Sequence, residues 1–434
     1  MPLFCLALPY ALKRIRRRGG YNKTLKHRWG SMGKLPPKQA GKARIWIQAV
    51  SVGEVQAAEP LIERLTADAS LELILTTTTS TGYAIAQTAY AHHRVTIRGF
   101  PVDFWLFSWR AWRQIQPDLV VLMESELWPE HLHQAQSREV PTLLVNARLS
   151  DRSFNRGRWL KPVLKPLMIK PLSAVLAATD QDRWRLSQWG VPCGKLSVSG
   201  NLKCDVKIQP QLTHAEQEAL RRECGFTRVA GAAAAPFILL GASTWPGEEA
   251  ILLTIIAAAL VQDIDCRLLL VPRHAERRGE LAGLLKQQDQ PCHFRSWKTA
   301  PAAATRIYVA DTTGELKRFL QMSDLVFIGK SLPPNRGGQT PVEAAALGKP
   351  IVFGPNMDNF RAIRDALLES GAALQVQDAA ALKHAVCDLL RNEAMRRSLG
   401  TAAQSWYKAQ RGATDQTISA IYRELNRKTS VTAR

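Results

Sequence analysis

Short apolar runs alternate with helix-like stretches from about residue 44 onward, and no other feature of the sequence limits the fold as strongly. The runs are RIWIQAV, LELILTTTT, PDLVVLME and PTLLVNA, followed by FILLGAS, CRLLLVPRH, RIYVAD, LVFIGK and PIVFGP. Each has the length and composition of a strand that is buried on both faces. Because consecutive parallel strands need a long, usually helical crossover, the alternation predicts an α/β fold with parallel sheets.

The chain divides at a stretch in which this alternation stops. Residues 206–235 contain no buried strand-like run and end in small residues. At 434 residues the chain is long enough for two domains. We predict a first domain over 21–207, a linker over 208–235 and a second domain over 236–434. Two doubly wound domains would flank a cleft, with ligands at the carboxyl ends of the strands.

The N-terminus joins an apolar segment to a strongly basic one. MPLFCLALPYAL is followed directly by KRIRRR, and the first acidic residue of the chain is Glu54. The apolar part is shorter than the ~20 residues that span a bilayer, and its charges follow it, unlike those of a secretory signal. We interpret residues 1–20 as a monotopic membrane anchor that contacts anionic lipids. A helix packed on the protein with a solvated basic face is the alternative.

A net charge of +21 would also suit a protein that binds nucleic acid. We favour lipid over nucleic acid because the basic run adjoins an apolar tip, and because Glu54, Glu124 and Glu343 suit a polyanion site poorly. The seven cysteines are scattered and contain no CxxC pair, which indicates a reducing cytoplasm and neither a zinc site nor a disulfide framework.

Charged residues follow the predicted strands of the first domain. Glu54, in SVGE, stands at a strand-to-helix turn, where a carboxylate either caps the helix or does chemistry. Glu124, in MESELWPE, and Lys203, in SGNLKCD, come after later segments. Arg148 and Arg152 are as consistent with a solvated rim as with ligand binding. The position at a strand end makes Glu54 the best candidate for a general base.

Several weak motifs of the second domain together predict a nucleotide site. Ser243 and Thr244, in GASTWPGEEA, offer hydroxyls at a helix start, where free N–H groups can bind phosphate. Arg273, in VPRHAER, can neutralise a phosphate, although a surface arginine is the alternative. Glu343, in RGGQTPVEAAALGKP, can accept both hydroxyls of a ribose. No GxGxxG follows a strand and no GxxxxGK[ST] occurs, which argues against a dinucleotide or P-loop site.

Taken in order, these motifs resemble those of the lipopolysaccharide Kdo transferases, where Kdo is 3-deoxy-D-manno-octulosonic acid. The similar segments, across about residues 21–370, are AVSVGEVQAAEPLIERL, TTTTSTG, MESELWPE, LVNARLSDRS, GNLKCD, GASTWPGEE, LVPRH, DTTGEL and GGQTPVEAAALGKPIVFGPNMDNF. The resemblance implies the GT-B fold, two Rossmann-like domains flanking a cleft, at the cytoplasmic face of the inner membrane of Gram-negative bacteria. It also implies inverting transfer of Kdo from CMP-Kdo to the glucosamine disaccharide of a lipid A precursor, without a cofactor or metal.

The resemblance also assigns roles to individual residues. It implies that Glu54 is the general base and takes the proton of the acceptor 6'-hydroxyl. Glu124 and Lys203, also in the acceptor-binding first domain, match positions that stabilise the transition state. The implied CMP contacts all lie in the second domain: Pro272, Arg273, Thr313, Gly314, Glu315, Thr340, Pro341, Val342 and Glu343.

The chain departs from common family motifs on the donor side. Gln339 and Thr340 stand where GGHNP is usual, and Trp245 replaces the histidine of STHPGEE. A GT-B paralogue that uses a different nucleotide sugar is therefore an alternative. A basic protein that binds nucleic acid without catalysis is a second alternative, from another class.

Overall fold

The computed structural model describes residues 24–159, 162, 165–205, 208, 211–227, 235–288, 290–302 and 305–432. The chain forms two compact units, Met1–Val206 with Gln410–Arg434, and Lys207–Ala409. The anchor predicted over residues 1–20 lies outside the described residues. Among those that are described, every helix is too short or too polar to span a lipid bilayer.

The first unit is built on a sheet of seven parallel strands in the order β3-β2-β1-β4-β5-β6-β7. The strands are β1 Ala43–Ala49, β2 Leu71–Thr77, β3 Val95–Gly99, β4 Leu119–Met123, β5 Thr142–Ala147, β6 Ala174–Ala177 and β7 Leu196–Val198. The chain direction across the sheet reverses between β1 and β4, which is the switch point of a doubly wound fold.

Helices cover both faces of this sheet. They are α1 Leu25–Arg28, α2 Val52–Ala57, α3 Glu59–Thr66, α4 Ser80–Ala89, α5 Trp105–Ile115, α6 Pro129–Ser137, α7 Asp151–Trp159 and α8 Asp180–Trp189, with helical turns at Lys165–Ile169, Cys193–Lys195 and Leu202–Asp205. Ile45 and Ile47 of β1 pack in one apolar cluster and Trp46 in the other. Because both faces of the strand are covered, its sequence reads as a continuous apolar run.

The second unit has its own parallel sheet, in the order β10-β11-β9-β8-β12-β13-β14. Its strands are β8 Phe237–Thr244, β9 Cys266–Pro272, β10 Cys292–Phe294, β11 Ile307–Val309, β12 Leu325–Ile328, β13 Ile351–Phe353 and β14 Leu374–Gln375. Its helices are α9 His214–Glu223, α10 Glu248–Val261, α11 Arg278–Lys286, α12 Leu316–Met322, α13 Val342–Ala346, α14 Arg361–Glu369, α15 Ala379–Arg391 and α16 Glu393–Ala409, with short turns at Ala275–Arg277 and Asp358–Phe360. The predicted α/β class, with two doubly wound units, is confirmed.

The structure differs from the expected linker over 208–235. Part of that stretch is α9, which begins with a capping box between Thr213 and Glu216. Leu220 and Phe226 are buried in the second unit, and Arg221 donates to the main-chain oxygen of Met322 at 2.9 Å. The apolar side chains that hold this helix are spaced too sparsely to be recognised in the sequence.

The structure also differs at the C-terminus, which the sequence had placed within the second domain at 236–434. The last helix, α17 (Ala413–Thr432), belongs to the first unit. Its Ala413 and Ile421 are buried in the same apolar cluster as Ile45 of β1. Asp205 fixes its start, because the carboxylate accepts from the main-chain N–H groups of Gly412 at 2.9 Å and Thr414 at 2.5 Å.

We predict that Asp205→Ala destabilises the first unit by about 1–3 kcal/mol, because it leaves the buried N–H of Thr414 without an acceptor. Chemical denaturation would give the loss in unfolding free energy, and amide exchange should accelerate along α17. Asp415→Ala is the matched control, since it removes only the exposed ion pair with Arg64 and should cost less than about 1 kcal/mol. Equal losses for the two variants would contradict the role given to Asp205.

Candidate active site

The parallel strands of the first unit all end at one edge of the sheet, and the predicted catalytic residues lie there. Glu54 is in α2 after β1, Glu124 follows β4 directly, and Lys203 is in the turn after β7. Lys203 Nζ contacts Glu124 Oε1 at 2.7 Å. The charge of Glu124 also acts on Glu54. The structure therefore brings these three residues together.

The Glu54 side chain is held at the start of its helix rather than pointing into solvent. Ser51 is the N-cap, and its hydroxyl both accepts from the Glu54 N–H and donates to Glu54 Oε1 at 3.0 Å. The main-chain N–H of Val50 donates to Glu54 Oε2 at 2.8 Å. Only 6% of Glu54 is exposed. The carboxylate is thus both part of the helix cap and fixed at the strand-end edge.

Burial and nearby negative charge make Glu54 an unusually basic carboxylate. Burial is the largest cause and Glu124 the second, and together they raise the pKa of Glu54 from 4.5 to about 7. The hydrogen bonds from Val50 and Ser51 oppose this rise but do not cancel it. Burial also raises the pKa of Glu126 to about 7, with Glu124 adding to the effect. A carboxyl group with a pKa near neutrality can exchange protons at physiological pH.

Glu124 and Asn146 place their side chains through left-handed backbone, with φ of +56° and +51°. Glu124 is tied to the neighbouring strand, because its N–H donates to Val145 at 2.9 Å. Asn146 lies where the register between β5 and β6 shifts, and its Oδ1 accepts from the Leu202 N–H at 3.2 Å. That bond holds the turn that carries Lys203. The sequence analysis did not select Asn146, although an asparagine at the end of a strand is a signal for left-handed backbone.

The two arginines of this domain are placed unequally. Arg148 is half-buried just after β5, with its N–H 3.4 Å from the main-chain oxygen of Glu124. The side chain of Arg152 lies outside what the structure describes.

In the second unit, Ser243 and Thr244 end β8 in a strand irregularity. Ser243 has a φ of +55°, and the register between β8 and β9 shifts between Ala242 and Thr244. The Thr244 hydroxyl is buried and has no hydrogen-bond partner within the described residues. Bulges of this kind redirect side chains beside functional sites. The Thr244 hydroxyl is therefore an unsatisfied polar group at this strand end.

Glu248 organises the loops around these hydroxyls. It is 1% exposed, and its carboxylate accepts from four main-chain N–H groups, those of Trp245, Lys330, Ser331 and Leu332, at 2.8–3.2 Å. Burial raises the pKa of Glu248, and these four donors oppose that rise. The residue joins the start of α10 to the loop after β12, so its role is to position that loop. Within GASTWPGEEA, the residues predicted to belong to the site are Ser243 and Thr244 and do not include Glu248.

Pro272 and Arg273 lie beside Thr244, at the end of β9. Pro272 is buried, Arg273 is exposed, and the Arg273 N–H donates to the Thr244 main-chain oxygen at 3.1 Å. Below them, Arg277 forms a bidentate pair with the buried Glu249 at 2.6 and 3.1 Å. That pair ties the turn that follows Arg273 to the start of α10.

Thr313, Gly314 and Glu315 form the loop after β11. Thr313 and Gly314 are exposed. Glu315 is already engaged, since its carboxylate accepts from Arg295 Nε at 2.6 Å and lies 3.6 Å from Arg318. These contacts of Glu315 hold the loop in place.

Thr340, Pro341, Val342 and Glu343 lead into α13, after β12. Pro341 and Val342 are buried, and Thr340 Oγ1 accepts from the Val342 N–H at 3.3 Å. Burial raises the pKa of Glu343, whose Oε2 is buried without a hydrogen-bond partner in the described ranges. The strand ends thus bring the predicted donor-side residues to one edge of the second sheet, with two unsatisfied groups among them, Thr244 Oγ1 and Glu343 Oε2.

Comparison with known proteins matches both units to transferase families. A family model described as 3-deoxy-D-manno-octulosonic-acid transferase (kdotransferase) matches residues 23–206, and one for glycosyl transferases group 1 matches residues 246–406. A UDP-GlcNAc 2-epimerase from Neisseria meningitidis, solved with UDP-GlcNAc, has the same fold at a TM-score of 0.59 and 13% identity, covering 88% of this chain and all of that one. Fold and sequence together define a glycosyltransferase of the GT-B class.

The relatives identify the family within this class. The 3-deoxy-D-manno-octulosonic acid transferase of Haemophilus influenzae is 34% identical over 94% of this chain and 92% of its own length. That of Bordetella pertussis is also 34% identical, over 94% of both chains. The chain belongs to the 3-deoxy-D-manno-octulosonic acid transferase family, as its motifs predicted.

Replacing Glu54 with Gln is expected to stabilise the protein at neutral and alkaline pH but not at acidic pH. Below pH 4.5 the wild-type carboxyl is protonated in both the folded and unfolded states. As the pH rises from 4.5 through about 7, Glu54 ionises in the unfolded state before it ionises in the folded state. The wild type therefore loses up to about 3 kcal/mol of stability. Gln does not titrate and escapes this loss.

Chemical denaturation of both proteins near pH 4.5 and near pH 8 would measure this effect. The free energy of unfolding of Glu54→Gln should exceed that of the wild type only at the higher pH. Glu59→Gln, in the first turn of α3, should not reproduce the gain. A stability difference that is the same at both pH values would show that folding does not raise the pKa of Glu54.

Proposed function

We propose that the protein transfers Kdo from CMP-Kdo to the glucosamine disaccharide of a lipid A precursor, at the cytoplasmic face of the inner membrane. The observation that carries the reaction is the buried Glu54 carboxyl with a pKa of about 7, beside the Glu124–Lys203 pair. Family membership supports Kdo as the transferred sugar. The family resemblance supports CMP-Kdo as the donor and the lipid A precursor as the acceptor.

In the proposed reaction, Glu54 takes the proton from the acceptor hydroxyl. The hydroxyl oxygen then forms a bond to the anomeric carbon of Kdo, and the bond from that carbon to the phosphate oxygen breaks. CMP leaves with the electron pair, and attack from the opposite face inverts the anomeric centre. The helix cap holds Glu54 Oε1 and Oε2 in place, so the base loses little freedom when the acceptor binds.

Glu124 and Lys203 act on this step as a pair. The anomeric carbon becomes cation-like as the bond to phosphate stretches, and a carboxylate near it is stabilising. Lys203 Nζ lies 2.7 Å from Glu124 Oε1 and supplies a positive charge beside the two carboxyl groups. Glu124 also raises the basicity of Glu54, so it contributes to proton removal as well.

The donor would bind at the strand ends of the second unit. The Thr244 hydroxyl and the exposed Arg273 offer a donor and a positive charge to the phosphate that departs. The buried and unpaired Glu343 Oε2 offers an acceptor for ribose hydroxyls. Thr244 Oγ1 and Glu343 Oε2 have no hydrogen-bond partner among the described residues, which is the condition expected of a polar site that awaits its ligand.

An exposed group of aromatic side chains supports membrane association within the described part of the chain. Trp29, Trp105 and Trp109 are 58%, 57% and 40% exposed. The ring of Trp29 stacks on Phe107, and the guanidinium of Arg113 lies 4.7 Å from the Trp109 ring centroid. Tryptophans beside basic residues are typical of surfaces that enter the headgroup region of anionic membranes. We name Trp29, Trp105, Phe107 and Trp109 the aromatic ridge.

Kdo transfer from CMP-Kdo to a tetra-acylated lipid A precursor in detergent tests the catalytic proposal. The wild-type rate should rise with pH and level off above about 7, because Glu54 must be ionised to accept a proton. Glu54→Gln should lower the rate by about 10²–10⁴-fold and abolish the pH-dependent rise near 7. Glu59→Gln should keep both. If Glu54→Gln transferred Kdo as fast as the wild type, Glu54 would be rejected as the base. If a folded wild type transferred no Kdo, the proposed donor or acceptor would be rejected.

Flotation of the full-length protein with vesicles that contain anionic lipid tests the aromatic ridge. Replacing both Trp105 and Trp109 by Ala should lower the partition coefficient by about tenfold or more, because the variant loses the apolar area that these rings bury in the membrane. The free energies of separate contacts add, so the loss should be visible whatever residues 1–20 contribute. Trp184→Ala, at a position 56% exposed elsewhere in the unit, is the matched control. An equal loss in that control would contradict the role of the ridge.

A further inference from the structure

Lys330 has a strained backbone at the carboxyl end of β12. Its φ is +59°, a region that residues other than glycine rarely occupy. The conformation is fixed at both ends, because its N–H donates to Glu248 Oε2 at 2.8 Å and its main-chain oxygen accepts from Gly338 N–H at 3.0 Å. Backbone strain that surrounding contacts hold in place is common at functional sites.

The side chain of Lys330 is paired with an aromatic ring instead of a carboxylate. Its Nζ lies 4.3 Å from the ring centroid of Trp245, in a cation–π contact. The Trp245 N–H donates at 2.9 Å to Glu248 Oε2, the same oxygen that fixes Lys330. No acidic side chain in the described ranges forms an ion pair with Lys330. The ammonium group is therefore positioned by one buried carboxylate and one ring, and its charge is not neutralised.

Two unsatisfied polar groups belong to the same strand-end region as this pair. The main chains of β8 and β12 touch here, since a Cβ added to Gly329 would lie 2.4 Å from the Ser243 main-chain oxygen. Thr244 Oγ1 is buried and unpartnered, and so is Trp245 Nε1. A positive charge beside free O–H and N–H donors suits an anionic oxygen. The pair thus adds a cation to the strand-end edge that carries the predicted donor residues.

We infer that Lys330, held by Trp245, binds an anionic oxygen of the nucleotide-sugar donor, either of its phosphate or of the sugar carboxylate. The inference rests on the proposed function, because the donor is taken to be CMP-Kdo. It also gives a role to Trp245, one of the positions at which the chain departs from the common family motif. Lys330 and Trp245 are then both determinants of donor recognition.

Calorimetric titration with CMP and with CMP-Kdo separates the two sources of the anion. Lys330→Met keeps the aliphatic stem and removes the charge, and it should weaken binding of CMP-Kdo by about tenfold or more. If the partner is the phosphate, binding of CMP should weaken as much. If it is the carboxylate, CMP should bind as it does to the wild type. Lys330→Arg should restore most of the affinity, and Lys383→Met, an exposed lysine of α15, should change nothing.

Several results would overturn the inference. One is wild-type affinity for both ligands in Lys330→Met, and another is a loss in Lys330→Arg as large as in Lys330→Met. If thermal unfolding shows that Lys330→Met does not fold, Trp245→Leu serves instead. That variant keeps the charge of Lys330 and removes the ring that positions it. Unchanged CMP-Kdo affinity in that variant would also reject the pair. A folded wild type that binds neither ligand would overturn the proposed donor itself, whereas binding by the wild type together with unchanged variants would reject only the role of Lys330.

Discussion

The direction of the strands is the constraint on which the rest of this protein depends. In each unit all paired strands run parallel, so every strand ends at the same edge of its sheet. Residues far apart in sequence, such as Glu54, Glu124 and Lys203, meet there without any local sequence signal that joins them. The same rule gathers the loops after β8, β9, β11 and β12 in the second unit. Chemistry at these edges follows from topology, and the side chains decide what kind it is.

Glutamates at similar helix starts have different roles because their hydrogen-bond and ion-pair partners differ. Glu248 is nearly fully buried, and four main-chain N–H groups fix it as a structural acceptor. Glu315 is held by Arg295 and has little freedom to bind a ligand. Glu54 has one main-chain donor and one hydroxyl donor to its carboxylate, with Glu124 nearby, so its pKa rises to about 7. Among these three glutamates, Glu54 has the environment that suits a base at neutral pH.

Backbone strain marks the same edges. Glu124, Asn146, Ser243 and Lys330 have positive φ angles and lie at or just beyond the ends of strands. Each is held by hydrogen bonds or by a strand irregularity that the surrounding sheet imposes. Helix ends account for other residues of this kind, such as Gln116, where left-handed backbone terminates a helix. Of these four residues, Glu124 is assigned to the reaction, and the others lie at or just beyond the ends of strands on the same edges of the two sheets.

The sequence by itself determined the α/β class, the two units and most of the central strands, because long apolar runs typify strands that are buried on both faces. It did not reveal β6, a buried strand of only four residues. Nor did it reveal β3, β7, β10 and β14, short strands at the sheet edges whose sequences carry little apolar signal. It selected Glu54, Glu124, Lys203 and the donor-side motifs as strand-end residues. Only the tertiary structure decided that Glu248 joins two loops, that Glu315 is ion-paired and that Lys330 faces Trp245, because burial and partners come from chain segments that only folding brings together. For the same reason it alone placed α17 on the first unit.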